Sequence, residues 1–333
     1  MKIAFFEIDE SEKKYFERAF PNDELIFVDE PLSMDNALQA RDAEVLVVFV
    51  YSKVNKEIIG ILPHLKFIAT MSTGFDHIDL AFTKEKNILV SNVPIYAETV
   101  VAEHVFALLL AISRRLEESF ERARKSEFSP EGLTGFELRG KTLGVIGVGA
   151  IGKHVIEIAK GFGMNVIAYT RHPDYALEKK LGYTHTELPV LLSKSDVISL
   201  HVPYNEETHH LLDEKEFSQM KDGVVIINTA RGGLIHNTPL LKALESGKVY
   251  WAGLDVLEEE PLLHEEKQLL SKQFEKEKLQ SVLEDHMLRN HPKVVITPHN
   301  AFNSHEALDK ILETTHDNIA SFIAGSPVNI VSS

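Results

Sequence analysis

Leu143-Gly144-Val145-Ile146-Gly147-Val148-Gly149-Ala150-Ile151-Gly152 is the stretch on which the fold turns. An apolar run with strand character leads into G-x-G-x-x-G, and a helical segment, 154–161, follows. The glycine triplet alone is a weak signal; between a strand and a helix it is a dinucleotide fingerprint. Gly147 permits a tight turn, Gly149 lets backbone approach a pyrophosphate, and Gly152 lets the helix pack close to the strand. The helix N-terminus attracts the phosphate charge. Gly147, Gly149, Ala150, Ile151 and Gly152 are therefore the expected cofactor cradle. The alternative is a glycine-rich turn with no ligand, which the matching flanks disfavour.

Outward from this stretch, strand-like runs at 142–146, 165–169, 196–201, 224–228, 251–256 and 294–297 alternate with helical segments. Six such strands fit a doubly wound parallel sheet. Upstream, 3–6, 44–50 and 66–70 are strand-like, with the amphipathic segment 56–62 between the last two. A second α/β sheet is expected there. The fold class is thus α/β, with two Rossmann-like or flavodoxin-like domains. Helix is predicted over 98–116, a polar connection over 119–139, and one or two surface helices within 261–290. A last helix, 304–324, packs back on the first domain. The expected domains are 1–100 with 300–333, which binds substrate, and 101–299, which binds the dinucleotide. The active site is expected in the cleft between them.

The chain has 333 residues, 44% hydrophobic and 26% charged, with a net charge of −15. Two domains suit that length. The acidic balance, without a basic patch, disfavours nucleic acid and anionic membrane as partners. No cysteine is present, so disulfides, thiolate metal sites and cysteine nucleophiles are excluded. The histidines have no metal-ligand spacing, and His209-His210 read as a surface pair. Glu7, Asp9 and Glu10 interrupt the N-terminus before a secretory signal could form. The longest apolar run, 105–112, is short for a bilayer. A cytoplasmic protein is expected.

The strand 166–169 ends in Thr170-Arg171-His172, where such folds usually place an acidic residue on the ribose 2′-hydroxyl. Arg171 and His172 can pair with a 2′-phosphate. The expectation is NADP(H), or dual use with NAD(H). In the alternative, Arg171 points to solvent and NAD(H) binds through other contacts.

Three blocks carry the remaining chemistry: 228–235 around Arg231, 254–261 around Glu260, and 297–300 around His299. Each follows the carboxyl end of an expected strand, where doubly wound sheets bind ligands. A guanidinium can grip a carboxylate and polarise a carbonyl. An imidazole can deliver or remove a proton near neutral pH. A carboxylate beside it fixes the tautomer and raises the imidazole pKa. Taken singly, the three could be a turn residue, a member of a solvated acidic run and a helix cap.

Asn228-Thr229-Ala230-Arg231-Gly232-Gly233-Leu234-Ile235, the Asp255–Pro261 block and Thr297-Pro298-His299-Asn300 together resemble the D-isomer-specific 2-hydroxyacid dehydrogenases. Ser72-Thr73-Gly74-Phe75-Asp76, Val93-Pro94-Ile95-Tyr96 and Ala102-Glu103-His104 extend the resemblance over nearly the whole chain. It implies an NAD(P)-dependent oxidoreductase with Arg231, Glu260 and His299 as the catalytic triad. It also implies that Asp255 contacts the nicotinamide carboxamide, and that Val202, Pro203, Thr229 and Ala230 line the cofactor with Thr170, Arg171 and His172. Thr73 and Gly74 would offer amides to the substrate carboxylate, and the chain would form a homodimer through the nucleotide-binding domain. Met71 stands where the family often has arginine. Glu103-His104 is expected to be structural. Tyr51, Tyr96 and Phe302 suit a small, dry pocket, or are core aromatics. Phe302 resembles the D-lactate dehydrogenase branch, so pyruvate/D-lactate is the expected substrate pair. Glyoxylate or hydroxypyruvate is the enzyme alternative. A nucleotide-sensing, protein-binding module of the same fold is the non-enzymatic one.

Overall fold

The structure, a computed structural model, describes residues 1–258 and 276–331. It comprises two compact units, Met1–Tyr96 with Ser304–Ser333, and Ala97–Asn303.

In the first unit β1 (Lys2–Phe6), β2 (Glu24–Val28), β3 (Val45–Val48), β4 (Phe67–Thr70) and β5 (Leu89–Ser91) form a parallel sheet. Their order is β2-β1-β3-β4-β5. β3 and β4 are buried along their whole length, which is why they read as unbroken apolar runs rather than alternating ones. β2 and β5 escape the sequence reading: β2 is only partly buried and β5 has three residues. The helix His305–Ile323 returns to this sheet. Phe322 stacks on Phe67 at 4.4 Å, and Asn318 donates to the Asn92 carbonyl at 2.9 Å.

The second unit holds β6 (Thr142–Ile146), β7 (Asn165–Tyr169), β8 (Thr184–His185), β9 (Val197–Leu200), β10 (Val224–Asn228), β11 (Val249–Leu254) and β12 (Val294–Ile296). All are parallel, in the order β12-β11-β10-β9-β6-β7-β8. The two-residue β8 was not expected. The apolar helix Glu98–Ser113 packs against this sheet. Gly253 makes room for it: a Cβ there would lie 3.1 Å from Leu108 and 3.2 Å from Ile112.

The single helix expected over 98–116 is two. Arg115 adopts φ 50°, a left-handed conformation that cannot propagate a right-handed helix. A second helix, Leu116–Arg124, then runs into the segment expected to be a connection. Of the expected helical insertion, Lys276–Arg289 is a helix; 259–275 lie outside the described residues. Among the described residues no helix is long and apolar enough to cross a membrane.

Candidate functional site

The site of the second unit is assembled along the carboxyl edge of its parallel sheet. At the end of β6, Gly147 has φ 99°, and its amide donates to the Tyr169 carbonyl at 2.8 Å. A Cβ on Gly147 would sit 2.6 Å from the His201 carbonyl oxygen and 2.9 Å from Val202 Cγ1. A Cβ on Gly152 would collide with the Gly147 carbonyl. Both positions therefore demand glycine for space, and Gly147 for conformation as well. Gly149 is different. It is the N-cap of helix Ala150–Gly161, no side chain caps that helix, and nothing among the described residues lies within 4 Å of a Cβ built there. An uncapped helix start facing open space is what a pyrophosphate requires.

Beneath the turn, burial holds His201 in its neutral form, its pKa lowered to about 3. Its Nε2 lies 2.8 Å from Ser199 Oγ. The sequence reading stopped at the neighbouring Val202 and Pro203, which are half-buried and exposed respectively.

At the tip of β7, Thr170 is half-buried, and Arg171 and His172 are exposed. Arg171 forms a two-pronged ion pair with Glu207, from the turn after β9. The tip thus has a carboxylate after all, supplied by a neighbouring loop. Its distance of 36 residues along the chain hid it from a reading of the tip alone.

After β10, Asn228 closes the Arg231 turn from within. Its side chain donates to the Arg231 carbonyl at 2.8 Å and accepts from the Ala230 amide at 3.0 Å. Arg231 is half-buried, and its Nη1 donates to the Ala230 carbonyl at 2.8 Å. Thr229 Oγ1 is buried without a hydrogen-bond partner among the described residues.

After β12 comes His299, with φ 50°. A left-handed histidine carries strain that the surroundings must hold in place. They do so through Asp255, the residue just past β11. The His299 amide donates to the Asp255 carbonyl at 2.9 Å. The Asp255 carboxylate accepts from Thr297 Oγ1 at 2.5 Å, the Asn300 amide at 3.0 Å and the Ala301 amide at 2.9 Å. His104 completes the buttress, with Nε2 2.9 Å from Thr297 Oγ1. The visible work of Asp255, which is 1% exposed, is to brace the His299 loop. Glu260 lies outside the described residues.

The segment after β11 also supports the Arg231 turn, because a Cβ on Gly232 would fall on the Leu257 carbonyl. One segment, 255–258, thus anchors both Arg231 and His299.

His209-His210 are only half a surface pair. His209 is exposed, but His210 is half-buried, with Nε2 2.5 Å from Glu258 Oε1. Its burial comes from a stack that also includes His236, contributed by another element. Among the described residues no group of three or more His, Cys, Asp or Glu is placed to hold a metal ion.

In the first unit, Thr73 is exposed and its hydroxyl donates to the Val93 carbonyl at 2.7 Å. Ser72 Oγ donates to the Gly74 carbonyl at 2.7 Å. The Tyr51 amide donates to Glu7 at 2.9 Å. Tyr51 and Tyr96, like Phe302 of the second unit, are half-buried.

A family profile described as D-isomer specific 2-hydroxyacid dehydrogenase, NAD binding domain, matches residues 106–301. The chain is 37% identical over 332 residues to D-lactate dehydrogenase of Escherichia coli strain K12, covering 98% of each chain. It is 38% identical over 301 residues to glyoxylate reductase of Thermococcus litoralis, covering 88% of this chain and 85% of that one. Among solved structures it is similar to D-lactate dehydrogenase from Aquifex aeolicus, complexed with NAD and lactic acid. The TM-score is 0.88 at 37% identity, covering 99% of this chain and 100% of that one.

Proposed function

The chain belongs to the D-isomer-specific 2-hydroxyacid dehydrogenases, NAD(P)-dependent oxidoreductases of 2-hydroxy acids, and from that premise we propose that it interconverts pyruvate and D-lactate. The observation that supports the 2-hydroxyacid chemistry is the shared anchorage of Arg231 and His299 on segment 255–258, with the open helix start of Gly149 at the same sheet edge. The choice of pyruvate rests on the similarity to D-lactate dehydrogenases.

The dinucleotide is held by Gly147, Gly149, Ala150, Ile151 and Gly152 at its phosphates, with Thr170, Arg171 and His172 toward the ribose. Val202, Pro203, Thr229 and Ala230 complete that surface, while the buried Asp255 acts by bracing the His299 loop. Bound there, the nicotinamide supplies the hydride, or accepts it in reverse. The Arg231 guanidinium grips the substrate carboxylate with paired N–H donors and polarises the C2 carbonyl. His299 delivers a proton to the carbonyl oxygen as the C2–H bond forms, giving the 2-hydroxy acid; in oxidation it removes that proton. Glu260 carries the acidic role of the triad, fixing the imidazole tautomer and favouring its protonated form. Tyr51, Thr73, Gly74, Tyr96 and Phe302 carry the substrate-facing roles.

Glyoxylate or hydroxypyruvate is the second reading, favoured by the similarity to a glyoxylate reductase. Both nicotinamide cofactors are used: Arg171 can meet a 2′-phosphate, but Glu207 already engages it. A homodimer forms through the second unit, where Phe120 and Phe128 are 57% and 83% exposed.

The test is oxidation of NADH and NADPH followed at 340 nm with pyruvate, glyoxylate and hydroxypyruvate. Pyruvate should give the highest kcat/KM. His299→Ala should lower kcat by about 100- to 10,000-fold with cofactor affinity retained. Cofactor binding without turnover of any 2-oxo acid would instead indicate a nucleotide sensor.

A further inference from the structure

A column of aromatic rings flanks the Arg231 turn. His209 and His210 stack at 3.7 Å, and His210 and His236 stack at 4.3 Å with planes 6° from parallel. Both ends are tied: Tyr204 Oη lies 3.0 Å from His209 Nδ1, and His236 Nδ1 lies 2.9 Å from Asp213 Oδ1. None of these five residues belongs to the chemistry assigned above.

Backbone bonds join the column to the turn. The His210 amide donates to the Gly233 carbonyl at 2.8 Å, Leu212 to Leu234 at 3.0 Å, and His236 back to Leu212 at 3.1 Å. Side-chain packing closes the same face, since a Cβ on Gly233 would sit 2.7 Å from Tyr204 Cε2. The adjacent Gly232 abuts Leu257, immediately before Glu258. The turn that begins at Arg231 is therefore held between the 204–212 loop and the segment after β11.

His210 reaches from the first of these walls to the second. Its Nε2 meets Glu258 Oε1 at 2.5 Å, with side-chain exposures of only 23% and 15%. A partly buried bond between an imidazole and a carboxylate is stronger and more directional than its exposed counterpart. His210 itself adopts φ 50°, so the loop accepts backbone strain to present this ring.

We propose that His210 and Glu258 form a clamp that positions the Arg231 turn, making His210 a positioning residue for substrate binding and turnover. The inference rests on the reading of Arg231 as the substrate-carboxylate ligand. Without the clamp the two walls are free to separate, and the guanidinium loses its aim. A displacement of the order of 1 Å at a positioning group can cost about 100-fold in rate.

The experiment compares His210→Phe, which keeps a stacking ring and removes the bond, with His210→Gln, whose amide restores a donor near the Nε2 position. Glu258→Ala breaks the clamp from the other wall. His210→Phe should raise KM for pyruvate and lower kcat at least about 10-fold, with NADH affinity within about twofold of wild type. His210→Gln should recover most of that loss. Glu258→Ala should show the same split, and adding it to His210→Phe should cost little more. All rates are measured well below each variant's Tm. Should His210→Phe not fold, Glu258→Ala and His210→Gln carry the comparison. Wild-type kcat and KM in the broken-clamp variants, no rescue by glutamine, or losses that multiply in the double variant would overturn the clamp. A wild-type chain silent on every 2-oxo acid would overturn the site reading beneath it.

Discussion

The two units wind their sheets alike yet treat the same crevice in opposite ways. In each, strand order reverses beside the first strand, β1 in one and β6 in the other, which is where open α/β sheets bind ligands. After β1 the crevice is filled. Glu7 turns left-handed, at φ 56°, and its carboxylate accepts from the amides of Phe49, Tyr51 and Ser52 and from the Ser52 hydroxyl. The next helix starts with a complete capping box, Asp9 and Glu12. After β6 the helix start is left open: Gly147 makes the turn, Gly149 leaves the helix uncapped, and among the described residues nothing lies within 4 Å of a Cβ built on Gly149. Similar topology can therefore bury an acidic staple or cradle a phosphate. The choice rests on whether carboxylates or glycines stand between strand and helix.

The largest expected effect comes from making the second unit imitate the first. Gly149→Asp places a capping carboxylate in open space, so the fold should survive. Like-charge opposition costing several kcal/mol should lower NADH affinity by about 100-fold or more, read by nicotinamide fluorescence. Undiminished affinity would break the comparison. Next is Glu7→Ala, which strips the partner from three amides and a hydroxyl. It should cost about 2–3 kcal/mol in chemical denaturation and leave NADH binding unchanged.

The pH dependence of stability should differ in sign between the two crevices. His201 has a folded pKa of about 3, below its ordinary 6.5. Its contribution is complete above pH 6.5 and falls as pH drops toward 3, by about 1.4 kcal/mol per unit. His201→Gln should flatten that slope. Glu7 runs the other way. Burial raises its pKa, against the opposing hydrogen bonds from Ser52, Tyr51 and Phe49. Its contribution is therefore complete below the ordinary glutamate value and is lost as pH rises through the folded one, so Glu7→Gln should remove a penalty at neutral pH. Denaturation curves across pH 3–8 test both signs.

The smallest effect is expected at the exposed Arg171–Glu207 pair, where ion pairs are worth about 1 kcal/mol or less. Glu207→Gln should shift the NADPH-to-NADH ratio of kcat/KM upward by about fivefold at most. No shift would remove Glu207 from cofactor selection.

What was legible in the sequence was local. The glycine turn is contiguous, and its strand and helix flank it directly. Buried parallel strands such as Val45–Val48 announce themselves by unbroken apolar runs. The candidate chemistry of Arg231 and His299 was legible because each sits just past such a strand. Arg115 was not legible as a helix breaker, since nothing in its side chain demands φ 50°. The shortest strands, β5 and β8, offered too few residues for a pattern.

The sequence by itself determined the parallel α/β plan, the dinucleotide turn and the residue types available for hydride-transfer chemistry, because backbone propensity and motif spacing act over a few neighbours. Tertiary structure alone decided that Glu207 reaches Arg171, that Asp255 braces the His299 loop, and that His210 meets Glu258. Those partners lie 36, 45 or 46, and 48 positions apart along the chain. Only strand order in the folded sheet brings loops that distant to one edge, and hydrogen bonds have no reach beyond it.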